Sequence, residues 1–135
     1  MAYSLFFVLN LLLGCSLAFM DPCTFYPKWF NRENATDEFI PTPSCQKGII
    51  HWNYPEGYLH IKFNQQHPFR LCLKNWIGGD ALTLFDNSFG KKTPMKALST
   101  EQQCIRSKGH RAVLDVQAPS ELRYMAGFSF KINKQ

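Results

Sequence analysis

The chain has 135 residues, of which 15 are Lys or Arg and 10 are Asp or Glu, and its formal net charge is +5. This length suits one folded domain. The net charge is compatible with anionic partners such as glycosaminoglycans, but the basic residues are scattered along the sequence and only Lys91 and Lys92 are adjacent, which argues against a nucleic-acid-binding face.

The first 18 residues form an uncharged stretch that is rich in Leu and Phe. It is too short to span a bilayer, which needs about 20 apolar residues, and it ends in Ser16-Leu17-Ala18, with small residues where a signal peptidase reads. We therefore predict a signal peptide at 1–18, a mature domain at 19–135 and secretion to the extracellular space. Because no Lys or Arg follows Met1, a buried N-terminal strand or a membrane anchor is the alternative.

Removal of the signal peptide takes Cys15 away and leaves an even number of cysteines, which predicts two disulfides among Cys23, Cys45, Cys72 and Cys104. The alternative is a zinc site, but no two of these cysteines have the spacing of a zinc knuckle. Asn34-Ala35-Thr36 is an N-glycosylation sequon, so behind a signal peptide we predict a glycosylated surface loop at Asn34.

Residues 21–44 contain four prolines and lack a period, so we predict an irregular segment there. From Gly48 onward, apolar residues alternate with polar ones, which is typical of half-buried strands. The pattern predicts six strands, at Gly48–Tyr54, Leu59–Phe63, Phe69–Lys74, Ala81–Phe85, His110–Val116 and Met125–Ile132. Pro94 to Gln103 is the best candidate for a helical turn. Many short alternating strands predict an all-β sandwich or barrel.

The first two of these strands flank Tyr54-Pro55-Glu56-Gly57, which suits a type I turn. If the strands pair as a hairpin around that turn, Trp52 faces Leu59 and Ile50 faces Ile61 on a wholly apolar inner side. His51 and His60 then lie side by side on the outer side.

The histidines are the first candidates for a metal or catalytic site: His51, His60, His67 and His110. His51 and His60 together supply at most half of a zinc site, and none of the four belongs to a His-Glu-x-x-His motif. We therefore interpret them as polar surface residues. The chain also lacks the nucleophile elbow and the phosphate-binding glycine motifs. We predict a binding protein with no catalytic residue, no metal and no cofactor.

A few aromatic residues lie outside the predicted strands, in what the pattern indicates are loops: Trp29, Phe30 and Trp76. Exposed aromatic side chains often anchor protein partners, so we predict that these three contact a partner, with Lys91 and Lys92 as a charged rim. The alternative is that the aromatic residues fill the ends of the sandwich.

The run from Cys45 to Ile61 has the Cys, Gly-x-Ile and Tyr-Pro order of a CUB domain. It resembles most closely the N-terminal CUB-like domain of the meteorin family, where a Cys is followed by a Gly, a Trp, a Tyr-Pro-x-Gly turn and a strand. The sequence around Cys72, around Cys104 and from Ala126 to Ile132 resembles later strands of that domain. The similarity covers nearly the whole mature chain.

This resemblance implies a CUB-like antiparallel β-sandwich with Cys23 paired to Cys45 and Cys72 paired to Cys104. It also implies a secreted, cytokine-like factor that binds a cell-surface receptor or another extracellular protein. The alternative is an extracellular recognition module that binds matrix, glycan or another cell surface without signalling. Meteorins carry a netrin-like domain after the CUB-like one, and the sequence to Gln135 matches the CUB-like part. The calcium ligands of many CUB domains have no clear match here.

Overall fold

Strands form at all six predicted places, as far as the described residues reach; Tyr54 and Met125, at the ends of two predicted strands, lie outside the described residues. The computed structural model describes residues 21–27, 36–52, 56–120 and 126–135. The strands in these ranges are β1 (Thr36–Phe39), β2 (Lys47–Trp52), β3 (Tyr58–Asn64), β4 (Phe69–Ile77), β5 (Thr83–Asp86), β6 (Thr93–Pro94), β7 (Gln103–Arg106), β8 (Arg111–Gln117) and β9 (Ala126–Lys134), with a 3-10 turn at Gly79–Ala81 before β5. β1, β6 and β7 are short strands that the alternation pattern did not predict.

The strands form two sheets, one of five strands in the order β1-β3-β8-β5-β6 and one of four in the order β2-β9-β4-β7. The predicted all-β sandwich with two disulfides is therefore confirmed. The five-stranded sheet is not wholly antiparallel, because β1 runs parallel to β3 at its edge. Parallel neighbours need a long connection, and the chain between β1 and β3 first forms β2 in the other sheet.

The predicted hairpin between β2 and β3 is wrong. β2 pairs with β9, which puts Trp52 opposite Ala126, and β3 pairs with β8, which puts Leu59 opposite Val116. The chain between β2 and β3 crosses from one sheet to the other. Trp52 and Leu59 still face the core, because alternation determines which side of a strand is apolar but not which strand is its neighbour.

The core lies between the inner faces of the two sheets. Its largest fully buried side chains include Trp52, Phe63, Phe69, Phe128 and Phe130. The predicted helical turn at Pro94–Gln103 is wrong: the chain runs without helix there, and the buried Leu98 joins the core. The backbone of Lys96 is hydrogen-bonded to a side chain instead of to a helical turn: its N–H donates to the Gln103 side chain, which donates in turn to the Lys96 carbonyl.

Both disulfides implied by the resemblance are present. Cys23–Cys45 ties the N-terminal segment to the loop before β2, with Cα atoms 5.4 Å apart. Cys72–Cys104 joins directly opposite positions of β4 and β7, with Cα atoms 4.0 Å apart. Within the described ranges, no helix has the length and hydrophobicity that a membrane span requires. The predicted signal peptide lies outside those ranges.

Candidate binding surface

The predicted partner-binding residues do not lie together in the part of the chain that the structure describes. Trp29, Phe30 and the sequon residue Asn34 lie outside the described residues. Trp76 is 55% exposed, so its side chain is available to a partner. It does not lie in a loop, as predicted, but near the end of β4, where the pairing with β9 shifts between Asn75 and Ile77. β4 therefore continues through an irregularity to Ile77, three residues beyond the predicted end of the strand at Lys74.

Trp76 is one of three neighbouring rings on the outer face of the four-stranded sheet. The His51 ring lies edge-on to Trp76, with ring centroids 5.0 Å apart, and stacks on Tyr26, with centroids 4.6 Å apart. We call Tyr26, His51 and Trp76 the aromatic cluster. It lies beside Gly127 of β9, where a Cβ atom would be 3.3 Å from Trp76 and 3.4 Å from His51. The missing side chain leaves room for the rings.

The N-terminal segment supplies Tyr26 to this cluster, because its backbone forms hydrogen bonds with the edge of β2. The Phe25 backbone N–H donates to the carbonyl of Ile49, and the Phe25 carbonyl accepts from the backbone N–H of His51. The Phe25 ring packs against the core, where it stacks with Trp52. Its neighbour Tyr26 therefore points outward, as alternation along an extended chain requires, and is 63% exposed.

His51 is not the surface residue that the sequence predicts. It is only 4% exposed, and its Nδ1 atom has no hydrogen-bond partner among the described residues. Burial lowers the pKa of His51 below its ordinary value of 6.5, because the protonated ring loses hydration. Its sequence position is on the outer face, as predicted, but Tyr26 and Trp76 cover it there.

This burial predicts an acid-sensitive fold. Since the folded protein holds His51 neutral, the unfolded chain binds more protons below pH 6.5, and the free energy of unfolding falls as the pH drops towards the lowered pKa. His51→Phe keeps a flat ring in the cluster and removes the titrating group. We expect the variant to lose less stability than the parent between about pH 7.5 and pH 5, measured by urea denaturation.

The exposed His67, in the loop before β4, provides the control. His67→Gln should show the same acid sensitivity as the parent. An unchanged pH dependence in His51→Phe would contradict the assignment of this sensitivity to His51.

Lys91 and Lys92 lie between β5 and β6, in the other sheet. The Lys92 ammonium group is 4.5 Å from the ring centroid of Phe85 and 4.7 Å from that of Tyr58, and it donates to the Tyr58 hydroxyl. These rings lie on the outer face of the five-stranded sheet. The two lysines and Trp76 are therefore on opposite faces of the sandwich, and the structure does not bring them together as one surface with a charged rim.

His51 and His60 also lie in different sheets, so their predicted side-by-side placement is wrong. His60 instead contacts Asp115 through Nδ1, and the second oxygen of this carboxylate accepts from Asn87 at 3.1 Å. Asp115 is 1% exposed. A buried carboxylate with both oxygens hydrogen-bonded holds neighbouring strands together.

A histidine beside a carboxylate is also two thirds of a nucleophilic triad. Within the described part of the chain, the hydrogen bonds of His60 include none to a serine, threonine or cysteine side chain. Across the same residues, no three His, Cys, Asp or Glu side chains are grouped as metal ligands.

An open groove of about 790 Å³ lies on the outer face of the four-stranded sheet, bordered by the N-terminal segment. Three lysines line it: Lys47, Lys74 and Lys131. Asp21 lies on its wall, but the carboxylate already accepts from the backbone N–H of Cys23 and from the Thr24 hydroxyl. The groove therefore presents basic side chains that alternation alone could not group together.

Sequence reasoning missed Tyr26 and His51 as members of a surface cluster. The signal for His51 was its position in β2 between Ile50 and Trp52. That position predicts that the side chain lies on the outer face of the strand, but it does not predict that Tyr26 and Trp76 cover it there. Tyr26 gave no signal, because it lies in a segment without periodicity. No protein-family model matches the chain, and no curated protein matches it either.

Proposed function

We propose that this chain is a secreted receptor-binding factor that acts by binding a partner protein and performs no chemistry. The observation that carries the proposal is the aromatic cluster, in which Tyr26 and Trp76 are more than half exposed and both contact the His51 ring. Tyr and Trp are enriched among the residues that dominate binding energy at protein interfaces.

The placement of the cluster supports an anchoring role. Trp76 is held by its contact with His51, and Ile77 beside it is 56% exposed. A ring that is already held in place loses little conformational entropy on binding. The tryptophan therefore offers a partner a large apolar surface at low cost.

Three further observations support the extracellular part of the proposal. Two disulfides are typical of proteins that fold in an oxidising compartment. The first 18 residues resemble a signal peptide, and the sequence resembles the CUB-like domain of meteorins. The second candidate function is a recognition module that binds matrix or another cell surface without signalling. The two candidates differ in specificity: a receptor-binding factor should bind cells of restricted type, whereas a matrix module should bind cell surfaces without that restriction.

The test is a binding screen of the mature protein against a library of receptor ectodomains, followed by measurement of the affinity of the Trp76→Ser variant. We expect the substitution to weaken binding by about 2 kcal/mol or more, as loss of an interface anchor does, and to leave the melting temperature close to that of the parent. Phe89→Ser is the matched control, because Phe89 is also 55% exposed but lies between β5 and β6 in the other sheet.

Two results would contradict the proposal. One is equal loss of binding in the Trp76 and Phe89 variants, which would show that the aromatic cluster is not the contact surface. The other is turnover of a substrate that disappears on mutation of His60, which would make the protein an enzyme.

A further inference from the structure

Charge is distributed unequally between the two sheets. The strands of the four-stranded sheet carry six basic residues and no acidic residue: Lys47, Arg70, Lys74, Arg106, Lys131 and Lys134. The strands of the five-stranded sheet carry four acidic and two basic residues: Asp37, Glu38, Asp86, Asp115, Lys62 and Arg111. The strands of one sheet are therefore cationic, whereas those of the other carry a net charge of −2.

Five of the cations share the outer face of their sheet and are exposed: Lys47, Arg70, Lys74, Arg106 and Lys131. We call these five residues the cation band. The strand register places Lys47 directly opposite Lys131 and Arg70 directly opposite Arg106. Like charges at directly opposite positions destabilise a sheet. The fold therefore keeps two repulsive pairs that a neutral residue at either position would remove.

Among the described residues, no ion pair includes a member of the band. The ion pairs found there are His60–Asp115 and Lys62–Glu38, and both belong to the five-stranded sheet. Asp21, at the groove wall, is hydrogen-bonded to its own segment. A bound anion would neutralise the band and convert the repulsive arrangement into a favourable one.

The geometry of the band suits an extended polyanion. Neighbouring strands are about 4.8 Å apart, and Lys131 lies diagonal to Arg70, because it pairs with Cys72 of the same strand. The cations thus cross all four strands in the order Arg106, Arg70, Lys131 and Lys47, with Lys74 beside them. All are exposed and the groove is open, so the face suits a chain that lies along it better than a single enclosed anion.

We propose that the cation band binds a sulfated glycosaminoglycan along the outer face of the four-stranded sheet. Arg side chains donate paired hydrogen bonds to the oxygens of anionic groups. Ser129, Gln46 and Thr24 line the same groove and supply hydrogen-bonding groups suited to sugar hydroxyls. This site goes beyond the proposed receptor contact, because it uses none of the three residues of the aromatic cluster.

A single-stranded nucleic acid fits the band less well. Binding of that kind depends on aromatic side chains on which bases stack within the cationic track. The band itself contains no aromatic residue. Trp76 lies beyond one end of it, two residues along β4 from Lys74, or about 7 Å, so among the described residues the track from Arg106 to Lys47 has no ring on which a base could stack.

The test compares Arg70→Gln/Lys131→Gln with the parent for binding to heparin. Each cation lost near a polyanionic surface weakens binding by roughly fivefold, so we expect the double variant to bind about 25-fold more weakly. It should also elute from heparin resin at lower salt. Because one member of each repulsive pair is removed, the variant should melt no lower than the parent. This second result separates loss of a site from loss of the fold.

Arg111→Gln/Lys91→Gln is the matched control, since it removes one Arg and one Lys, both exposed, from the five-stranded sheet and its β5–β6 connection. It should keep nearly the parent's affinity for heparin. Equal loss in both double variants would show that net charge alone determines binding and would overturn the proposal. So would equally tight binding of desulfated heparin or of an oligothymidylate.

The two proposals fail separately. Trp76→Ser should leave heparin binding unchanged, whereas Arg70→Gln/Lys131→Gln should leave binding to the partner protein unchanged when heparin is absent. Loss of heparin binding in the Trp76→Ser variant would merge the two sites and contradict the present assignment.

Discussion

Replacement of Trp52 by alanine should lower the free energy of unfolding by about 3–5 kcal/mol, as truncation of a large core aromatic does. The Trp52 ring is fully buried and stacks with Phe25 at a centroid distance of 6.4 Å. Gly57 lies against it so closely that a Cβ atom there would be 2.4 Å from the ring. Truncation to alanine would therefore leave a cavity that the backbone at Gly57 cannot easily fill.

A small domain is stable by about 5–15 kcal/mol, so this single change should remove a large part of the total. The measurement is chemical denaturation followed by circular dichroism. Trp76→Ala is the matched control, because it removes the same side chain from an exposed position, and we expect it to change the stability far less. A Trp52→Ala protein that unfolds at the parent's midpoint would show that β2 is placed wrongly.

Loss of the Cys23–Cys45 disulfide should have an effect of similar size. The bond closes a loop of 22 residues, and the chain-entropy model gives about 3.4 kcal/mol for a loop of that length. The native state should also lose order, because the disulfide holds Phe25 and Tyr26 at the edge of β2. We therefore expect Cys23→Ala/Cys45→Ala to unfold at lower denaturant and to expose His51.

The second disulfide gives the comparison. Cys72–Cys104 closes a loop of 32 residues, for which the same model gives about 3.7 kcal/mol. Its removal should cost nearly as much stability but leave the segment 21–27 in place. If removal of Cys23–Cys45 has no measurable effect on the midpoint, this disulfide does not hold the N-terminal segment.

The sequence by itself determined which side of each long strand faces the core. Alternation in β2, β3, β4, β8 and β9 placed Trp52, Leu59, Leu71, Leu114 and Phe128 inside. An even number of cysteines predicted two disulfides, and a resemblance to the meteorin CUB-like domain implied their pairing. These features are local or depend on a count, so no knowledge of the neighbouring strands is needed.

Strand pairing could not be read from the same pattern. β2 and β3 each have one apolar face. Alternation shows which residues belong to that face, but it does not show which other strand forms the backbone hydrogen bonds at each edge. The prediction of a hairpin failed because the chain crosses between sheets after Trp52. Short strands such as β6, with two residues, are too brief to show a period.

Both candidate surfaces depended on the tertiary structure for the same reason. The basic residues are scattered along the sequence, yet the order β2-β9-β4-β7 and its register collect Lys47, Arg70 and Lys131 on one face. Tyr26 comes from a segment without periodicity and reaches His51 only because that segment docks on β2. Which residues share a face between distant strands is decided by pairing, and pairing is set by how both sheets fill one core.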